Sequence, residues 1–503
     1  MLIDDGISGL WEIEHSGKSW LDSYGFDSFY HGHYSLLIFL KWLFGLNPLG
    51  WFIVFAFLHA LNASLIKLFF EKLYKAFGFG NAASRIAYAG SAFFLISPYM
   101  TENVNWAATG HYAISLLCLL LMSIMALDLL YGVKRNLALI FLIFFISLFT
   151  HEISFLFPIF LGLLLIVLGM KDSRTSWKKL LPKIVGPQFV LIGIYLLLLK
   201  WKRGTFIPHY GGQEGFWSSF LEMPSLLAKY LLKLLGFVHF FSVQRRDAIY
   251  NVFENPMLAF LLIVAVLLLF FFLLKKSRKS LMLFGLLSVS FILFLLPALR
   301  LYFTEVVRLE NARYSYFAFV FLAQLIALVI FSRKSPWAWT LFGVYAAISV
   351  GLLVHNVNDR AESGPLHAQY LAELNKKIVP NAYLLNVPAS QKGAYMFRAR
   401  GRLAIAYEMN YNQKLPEGVE EVCSYVGVNA LDSFEVKQID DSTYHVQNLN
   451  PGSWFMVDGL GLSDFETEDY SLKTDEWGGY TLKFRTLPIP RLFIFSKGKL
   501  SEF

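Results

Sequence analysis

A chain of 503 residues with 56% hydrophobic and only 16% charged side chains carries more apolar surface than a soluble fold of that size needs. Its mean hydropathy of +0.51 belongs to a multispanning membrane protein. The formal charge of +8 is modest and is accounted for by cytoplasmic Lys and Arg, so it does not point to nucleic acid.

The chain opens with two adjacent carboxylates, Asp4 and Asp5. Residues 1–49 are mixed, with Trp11, Trp20, Tyr24, Phe26, Phe29 and Tyr30 interleaved with Asp22, Asp27, His31 and His33. The apolar run from Tyr34 to Phe44 is short for a span and predicts an interfacial or re-entrant helix. Ten spans are predicted next, near 50–70, 86–100, 112–131, 137–150, 154–170, 184–200, 256–274, 281–298, 314–331 and 337–355. Basic connections separate them: 71–85, Lys134-Arg135, 171–183, 275–279 and Arg333-Lys334. The positive-inside rule assigns these to the cytoplasm. The remaining connections, 101–111, 151–153, 201–255 and 299–313, then lie outside with 1–49 and the tail. That parity requires the segment Leu226–Phe241 to be interfacial rather than spanning. A span upstream of Met1 is also expected, because a polar segment crosses a membrane poorly without one.

The tail changes character at 356. A helical stretch near Pro365–Lys377 is followed by strand-like runs at Ala382–Val387, Thr443–Val446, Ser453–Val457, Tyr480–Phe484 and Arg491–Phe495, with Gly, Pro and Asp between them. The predicted fold is therefore an all-α polytopic membrane bundle (50–355) with a C-terminal strand-rich α+β domain (356–503) outside. Cys118 and Cys423 offer neither a disulfide framework nor metal-ligand spacing.

The polar groups that interrupt the apolar pattern collect on the predicted outer side. Asp4 and Asp5, beside a membrane core, are candidates for a general base; a solvated N-terminus is the bland alternative. The loop Thr101-Glu102-Asn103-Val104-Asn105-Trp106, with His111 and Tyr112 after it, offers hydrogen-bonding side chains; helix capping and interfacial anchoring explain it equally well. Thr150-His151-Glu152 forms a tight hairpin between apolar runs, where helix-end charges alone explain both residues. Arg300, Arg308 and Arg313 on the outer side run against the charge rule and suit phosphate oxygens. Pairing of Arg308 or Arg313 with Glu305 or Glu310 is the simpler account. His31 and His33 alone are too few for a metal site.

In this order the motifs resemble the GT-C class of integral-membrane glycosyltransferases, in particular its protein O-mannosyltransferase-like and TPR-linked mannosyltransferase branch. The resemblance rests on five stretches within residues 1–330. They are Asp4-Asp5; Gly45-Leu46-Asn47-Pro48 with Leu58-His59-Ala60-Leu61-Asn62-Ala63; Thr101–Trp106; Thr150-His151-Glu152, where the family carries Ser-Lys-Glu; and Arg313-Tyr314-Ser315-Tyr316. The chain departs from the family in lacking its first helix, in having His33-Tyr34-Ser35 for Tyr-Arg-Pro, and in lacking TPR repeats.

The resemblance implies an inverting glycosyltransferase in a bacterial inner membrane, using a polyprenyl-phosphate sugar donor from the lipid and a protein, lipid or glycan acceptor. It implies a base at Asp4 or Asp5 and donor-phosphate contacts from Arg313, Arg308 and His151. Glu102, His111, Glu152 and His33 would orient the substrates, and 226–241 would admit the lipid tail. No cofactor is implied, and metal dependence stays open. Two other readings also stay open: a transporter or flippase for a lipid-linked sugar, and a degenerate membrane scaffold without catalysis.

Overall fold

The computed structural model describes Trp11, His15 and residues 30–503, apart from 172–175, 205, 207–217, 242, 276, 302–308, 332–336, 393, 398–400, 428–431, 451–452, 457–462, 476–477 and 487. Asp4, Asp5, Glu305 and Arg308 lie outside the described residues. The chain divides into two compact units. One comprises Gly17–Gly45 and Leu49–Val354, and the other Met1–Ser16, Leu46–Pro48 and His355–Phe503.

The first unit is helical. In chain order it contains α1 (His31–Phe44), α2 (Pro48–Ala76), α3 (Ala82–Ile96), the short α4 (Thr101–Asn105), α5 (Gly110–Leu130), α6 (Leu137–Leu148) and α7 (Phe157–Lys171). There follow α8 (Trp177–Arg203), α9 (Ser218–Gly236), α10 (Val243–Val252), α11 (Pro256–Leu274), α12 (Arg278–Leu301), α13 (Tyr316–Phe331) and α14 (Trp337–Lys377). Among the described residues, eight helical stretches are long and apolar enough to cross a membrane, which makes this an integral membrane protein. Helices also form at the other two predicted spans, but α3 and α6 have only 15 and 12 residues. At 1.5 Å per residue, α6 is about 18 Å long, short of the roughly 30 Å hydrocarbon core.

Burial sorts these helices. The apolar windows of Ala107–Leu130 and Ala312–Phe331 are each 78% buried within the protein, whereas those of Pro256–Leu274 and Trp337–Lys377 are 11% buried. The first two form the centre of the bundle, where α13 packs on α3 and α12. On the last two, leucines and phenylalanines such as Leu261, Leu269, Phe272 and Leu341 stay exposed. Helices apolar on every side with so little protein contact need lipid as their solvent. Trp42 and Trp201 are also exposed, near helix ends, where interfacial tryptophans sit.

The bundle has two polar ends. At one, Asp128 binds Lys72 at 2.5 Å and Arg135 at 2.6 Å, Lys171 reaches the carbonyl of Ala76, and Lys279 reaches that of Gly78. Four of the predicted basic connections thus meet one another, and Arg333-Lys334 lies outside the described residues. At the other end, the loops around residues 32, 102, 150 and 313 meet. Short as they are, α3 and α6 leave the first end and arrive at the second.

The second unit begins within α14. The sequence predicts a span ending at 355 and a separate helix at 365–377, but the structure has one helix of 41 residues. The change at Asn356 from apolar to polar marks a change of solvent, not of backbone conformation. Pro365 removes a hydrogen bond without ending the helix. Three sheets follow, with strands in the order β13 (Lys499–Glu502), β12, β1, β4; β6, β7, β11, β10, β9; and β3 (Ala394–Tyr395), β2, β5 (Ser424–Gly427), β8 (Trp454–Met456). Strand β1 (Ala382–Leu384) runs parallel to β12 (Arg491–Ser496) and β4 (Glu420–Glu421). The five-stranded sheet pairs antiparallel along β6 (Phe434–Gln438), β7 (Thr443–Asn448), β11 (Gly479–Phe484), β10 (Tyr470–Asp475) and β9 (Phe465–Glu466). The predicted strand Ala382–Val387 is two strands. Between them the Asn386 amide copies a strand pairing, donating to the Phe495 carbonyl at 2.8 Å and accepting from the Phe495 N–H at 2.7 Å. The chain then starts β2 (Val387–Gln391) in another sheet.

Candidate functional site

The short motifs that seem isolated in the sequence pair with one another in space. On α2, His59 Nδ1 lies 3.0 Å from the Tyr316 hydroxyl, and the Asn62 amide donates to the Ala113 carbonyl at 2.9 Å. Both residues are buried, and the Asn62 amide also approaches the Tyr316 hydroxyl at 3.4 Å, so the motifs at 58–63 and 313–316 meet at Tyr316 inside an otherwise apolar bundle.

Next to them, Glu102 and Arg313 form a buried pair. The Arg313 guanidinium donates to Glu102 Oε1 at 2.6 Å and its backbone N–H donates to Oε2 at 2.8 Å. Its Nη2 donates to the Tyr314 hydroxyl at 3.0 Å, and the guanidinium carbon lies 4.8 Å from the Trp106 ring centroid. The 3-10 turn Leu309–Ser315 turns the Arg313 N–H toward the carboxylate, and α4 carries the carboxylate. Glu102 is 0% and Arg313 7% exposed. Arg313 therefore has a carboxylate partner 211 positions away in the chain; Glu305 and the Glu310 side chain lie outside the described residues. Its charge is matched before any ligand arrives.

A third grouping lies where α1 meets α5 and the hairpin at 150. The amide of Gly32 donates to the Phe149 carbonyl at 2.7 Å. A Cβ there would sit 2.3 Å from Thr150 Oγ1, so glycine is what lets α1 come this close. That approach stacks His111 on His151 with centroids 4.6 Å apart and sets His33 edge-on to His111 at 5.0 Å. Tyr112 lies 4.6 Å from His151 and 6.4 Å from Tyr314, which joins this group to Arg313. The Tyr30 hydroxyl donates to Glu152 Oε2 at 2.8 Å.

These imidazoles are uncharged at neutral pH. Burial pushes His33 down to about 3. Burial, followed by the proximity of His33, does the same for His151, to about 3. His151 Nδ1 accepts from the Ile153 N–H at 2.9 Å, which leaves the proton on Nε2. Buried His33 Nδ1 has no hydrogen-bond partner among the described residues. A neutral imidazole donates once and accepts once, so the group suits hydroxyls better than an anion. His151 offers a ligand an N–H, not a charge. Among the described residues, no three His, Cys, Asp or Glu are arranged to hold a metal ion.

Six residues singled out in the sequence thus come together: His33, Glu102, His111, His151, Glu152 and Arg313. Asp4, Asp5 and Arg308 lie outside the described residues. The sequence reading missed Tyr30 as a partner for Glu152, and it missed a cationic group on α9 and α10. Lys229 and Lys233 stand four apart on α9 and are buried, as is Arg246 on α10. Two lysines at helical spacing among leucines read as the wet face of an interfacial helix. The available signal was their flanks, because Leu226, Tyr230 and Leu234 share that side and are buried with them.

No family model, curated protein or solved structure matches this chain.

Proposed function

We propose that the chain is an inverting glycosyltransferase that moves a sugar from a polyprenyl-phosphate donor to an acceptor hydroxyl at the outer face of the membrane. One observation carries the reading: polar residues from four separate segments, 30–33, 102–111, 151–152 and 313, converge at the end of the bundle opposite its basic connections. Mid-bundle polar groups such as Gln324, which binds the Tyr74 hydroxyl and the Ala87 carbonyl, are satisfied locally, which argues against a polar path for a transporter.

In this reaction the acceptor oxygen attacks the anomeric carbon and the bond from that carbon to the phosphate oxygen breaks. The electron pair leaves with the lipid phosphate, and the acceptor proton passes to Asp4 or Asp5. The tyrosine-lined imidazole group meets the sugar hydroxyls, with Glu152 bound to Tyr30 beside it and Glu102 bound to Arg313 as the further substrate-orienting acids. Arg313, Arg308 and the N–H of His151 face the phosphate.

Asp4→Asn, Asp5→Asn and the double variant test this, with a polyprenyl-phosphate sugar in vesicles. Removing the base is expected to slow transfer at least about 100-fold at unchanged expression. Full activity in the double variant removes the proposed base and the mechanism with it.

A further inference from the structure

Lys233 is completely buried, and its ammonium has no hydrogen-bond partner among the described residues. It lies 5.7 Å from the ring centre of Tyr230 and 5.9 Å from that of Tyr99. It is within electrostatic reach of Glu102, Arg313 and Arg246. Arg246 is buried too. Its Nε makes no hydrogen bond among the described residues, and its nearest acid, Asp247 at 3.5 Å, is half exposed. Lys229, one turn before Lys233, is buried 3.6 Å from Glu254, a carboxylate that sits mostly in water.

The balance of buried charge is therefore uneven. Glu102 is committed to Arg313 through both oxygens. Lys233 Nζ and Arg246 Nε make no hydrogen bond among the described residues, and the acids beside Lys229 and Arg246, Glu254 and Asp247, are 59% and 45% exposed. The segment that carries Tyr99, whose ring lies beside Lys233, adds further buried polar atoms: Ser97 Oγ, the Tyr99 hydroxyl and both amide atoms of Asn103 lack partners among the described residues. Buried cations and buried hydrogen-bonding groups without partners are costly, and clusters of them occur where a ligand completes the site.

We propose that Lys233 and Arg246, with Lys229 at the edge, form a buried site for a phosphate-class anion. A phosphate brings three acceptor oxygens and negative charge to the groups that lack both. The ammonium is poised for this use. Burial pulls Lys233 down to about 7, with Glu102 pulling upward and Arg313 and Arg246 downward. An entering anion then favours the charged form and draws in a proton. The site stands on these residues alone and does not require the transferase reading. A lipid-linked phosphate and a free phosphate share the chemistry.

The test is calorimetry on the full chain in nanodiscs with three probes: a polyprenyl monophosphate, inorganic phosphate, and the uncharged polyprenol. Saturable binding of the polyprenyl phosphate alone assigns a lipid source, and saturable binding of inorganic phosphate assigns a free one. In either case Lys233→Met and Arg246→Gln are each expected to weaken binding at least tenfold, the scale of one charge-assisted contact. Lys233→Met should also unfold at a temperature equal to or above that of the parent chain, since it removes a buried unpaired charge. Measured at pH 8 in buffers of different ionisation enthalpy, the parent chain should take up a proton on binding and Lys233→Met should not. Should Lys233→Met fail to fold, Arg246→Gln decides. Unchanged affinity in the folded variants, or no saturable binding of either phosphate, overturns the site. Phosphate binding that persists in the Asp4→Asn, Asp5→Asn double variant, alongside unimpaired sugar transfer, would sink the transferase mechanism and leave this site standing.

Discussion

The two polar ends of the helical unit use charge in opposite ways. Around Asp128 the cations Lys72 and Arg135 remain more than a third exposed, and neighbouring Glu71 is bracketed by the open chains of Lys67 and Lys75. Around Glu102 the charges are buried and each has few neighbours. Water pays for charge at the first end, so ion pairs there are replaceable and serve chiefly to fix which way the helices run. At the second end each charge must find its partner in the protein or in a ligand, so each is consequential.

The largest effect that would break this contrast is at Glu102. Glu102→Ala removes the buried carboxylate that accepts from both the guanidinium and the backbone N–H of Arg313, and about 3–5 kcal/mol of stability should be lost, measured by thermal unfolding in detergent. A Glu102→Ala, Arg313→Met double variant should recover much of it. Equal losses in the single and double variants would mean that packing, not charge, holds these loops.

An intermediate effect is expected from acid. His33 and His151 are held far below the ordinary histidine value, to about 3 each, so between that and 6.5 the unfolded chain binds protons that the folded chain refuses. Stability is therefore complete above 6.5 and falls as pH drops from there toward 3. The slope is at most about 1.4 kcal/mol per pH unit for each imidazole. His33→Gln and His151→Asn should each flatten the unfolding profile between pH 6.5 and 5, and an unaltered slope would show that these rings are hydrated. The smallest effect is at the other end. Arg135→Ala removes one half-exposed arm while Lys72 stays on Asp128, and it should cost under about 1 kcal/mol.

The elements were largely legible in the chain. Helices form at all ten predicted spans, and α1 begins within the polar opening segment as its apolar run predicts. Each of the five strand runs predicted in the tail holds a strand, the first split at Asn386 because a side-chain amide can imitate backbone pairing, but strands such as Ser424–Gly427, Phe434–Gln438 and Tyr470–Asp475 lie outside those runs. The fusion of 337–355 with 365–377 was not legible, because hydropathy reports the solvent around a helix and not where the helix stops. Within the site, Glu102, His111, His151, Glu152 and Arg313 stand out as polar residues in apolar surroundings, but nothing in the sequence ties Arg313 to Glu102. Lys229 and Lys233 are the instructive failure. Their spacing is that of a solvated stripe, and only the packing of α9 shows the stripe turned inward.

By itself the sequence determined that this chain belongs in a membrane, which stretches form its apolar helices, and where its basic residues fall between them. Those properties sum over neighbours in the chain, so composition and period suffice to read them. Tertiary structure alone decided that Glu102 meets Arg313 across 211 positions, that α1 closes on the hairpin at 150 through Gly32, and that Lys233 is buried with no hydrogen-bond partner among the described residues. Each depends on which surfaces pack together, and the energy of a buried charge is set by what lies within a few ångströms of it rather than by what precedes it in the chain.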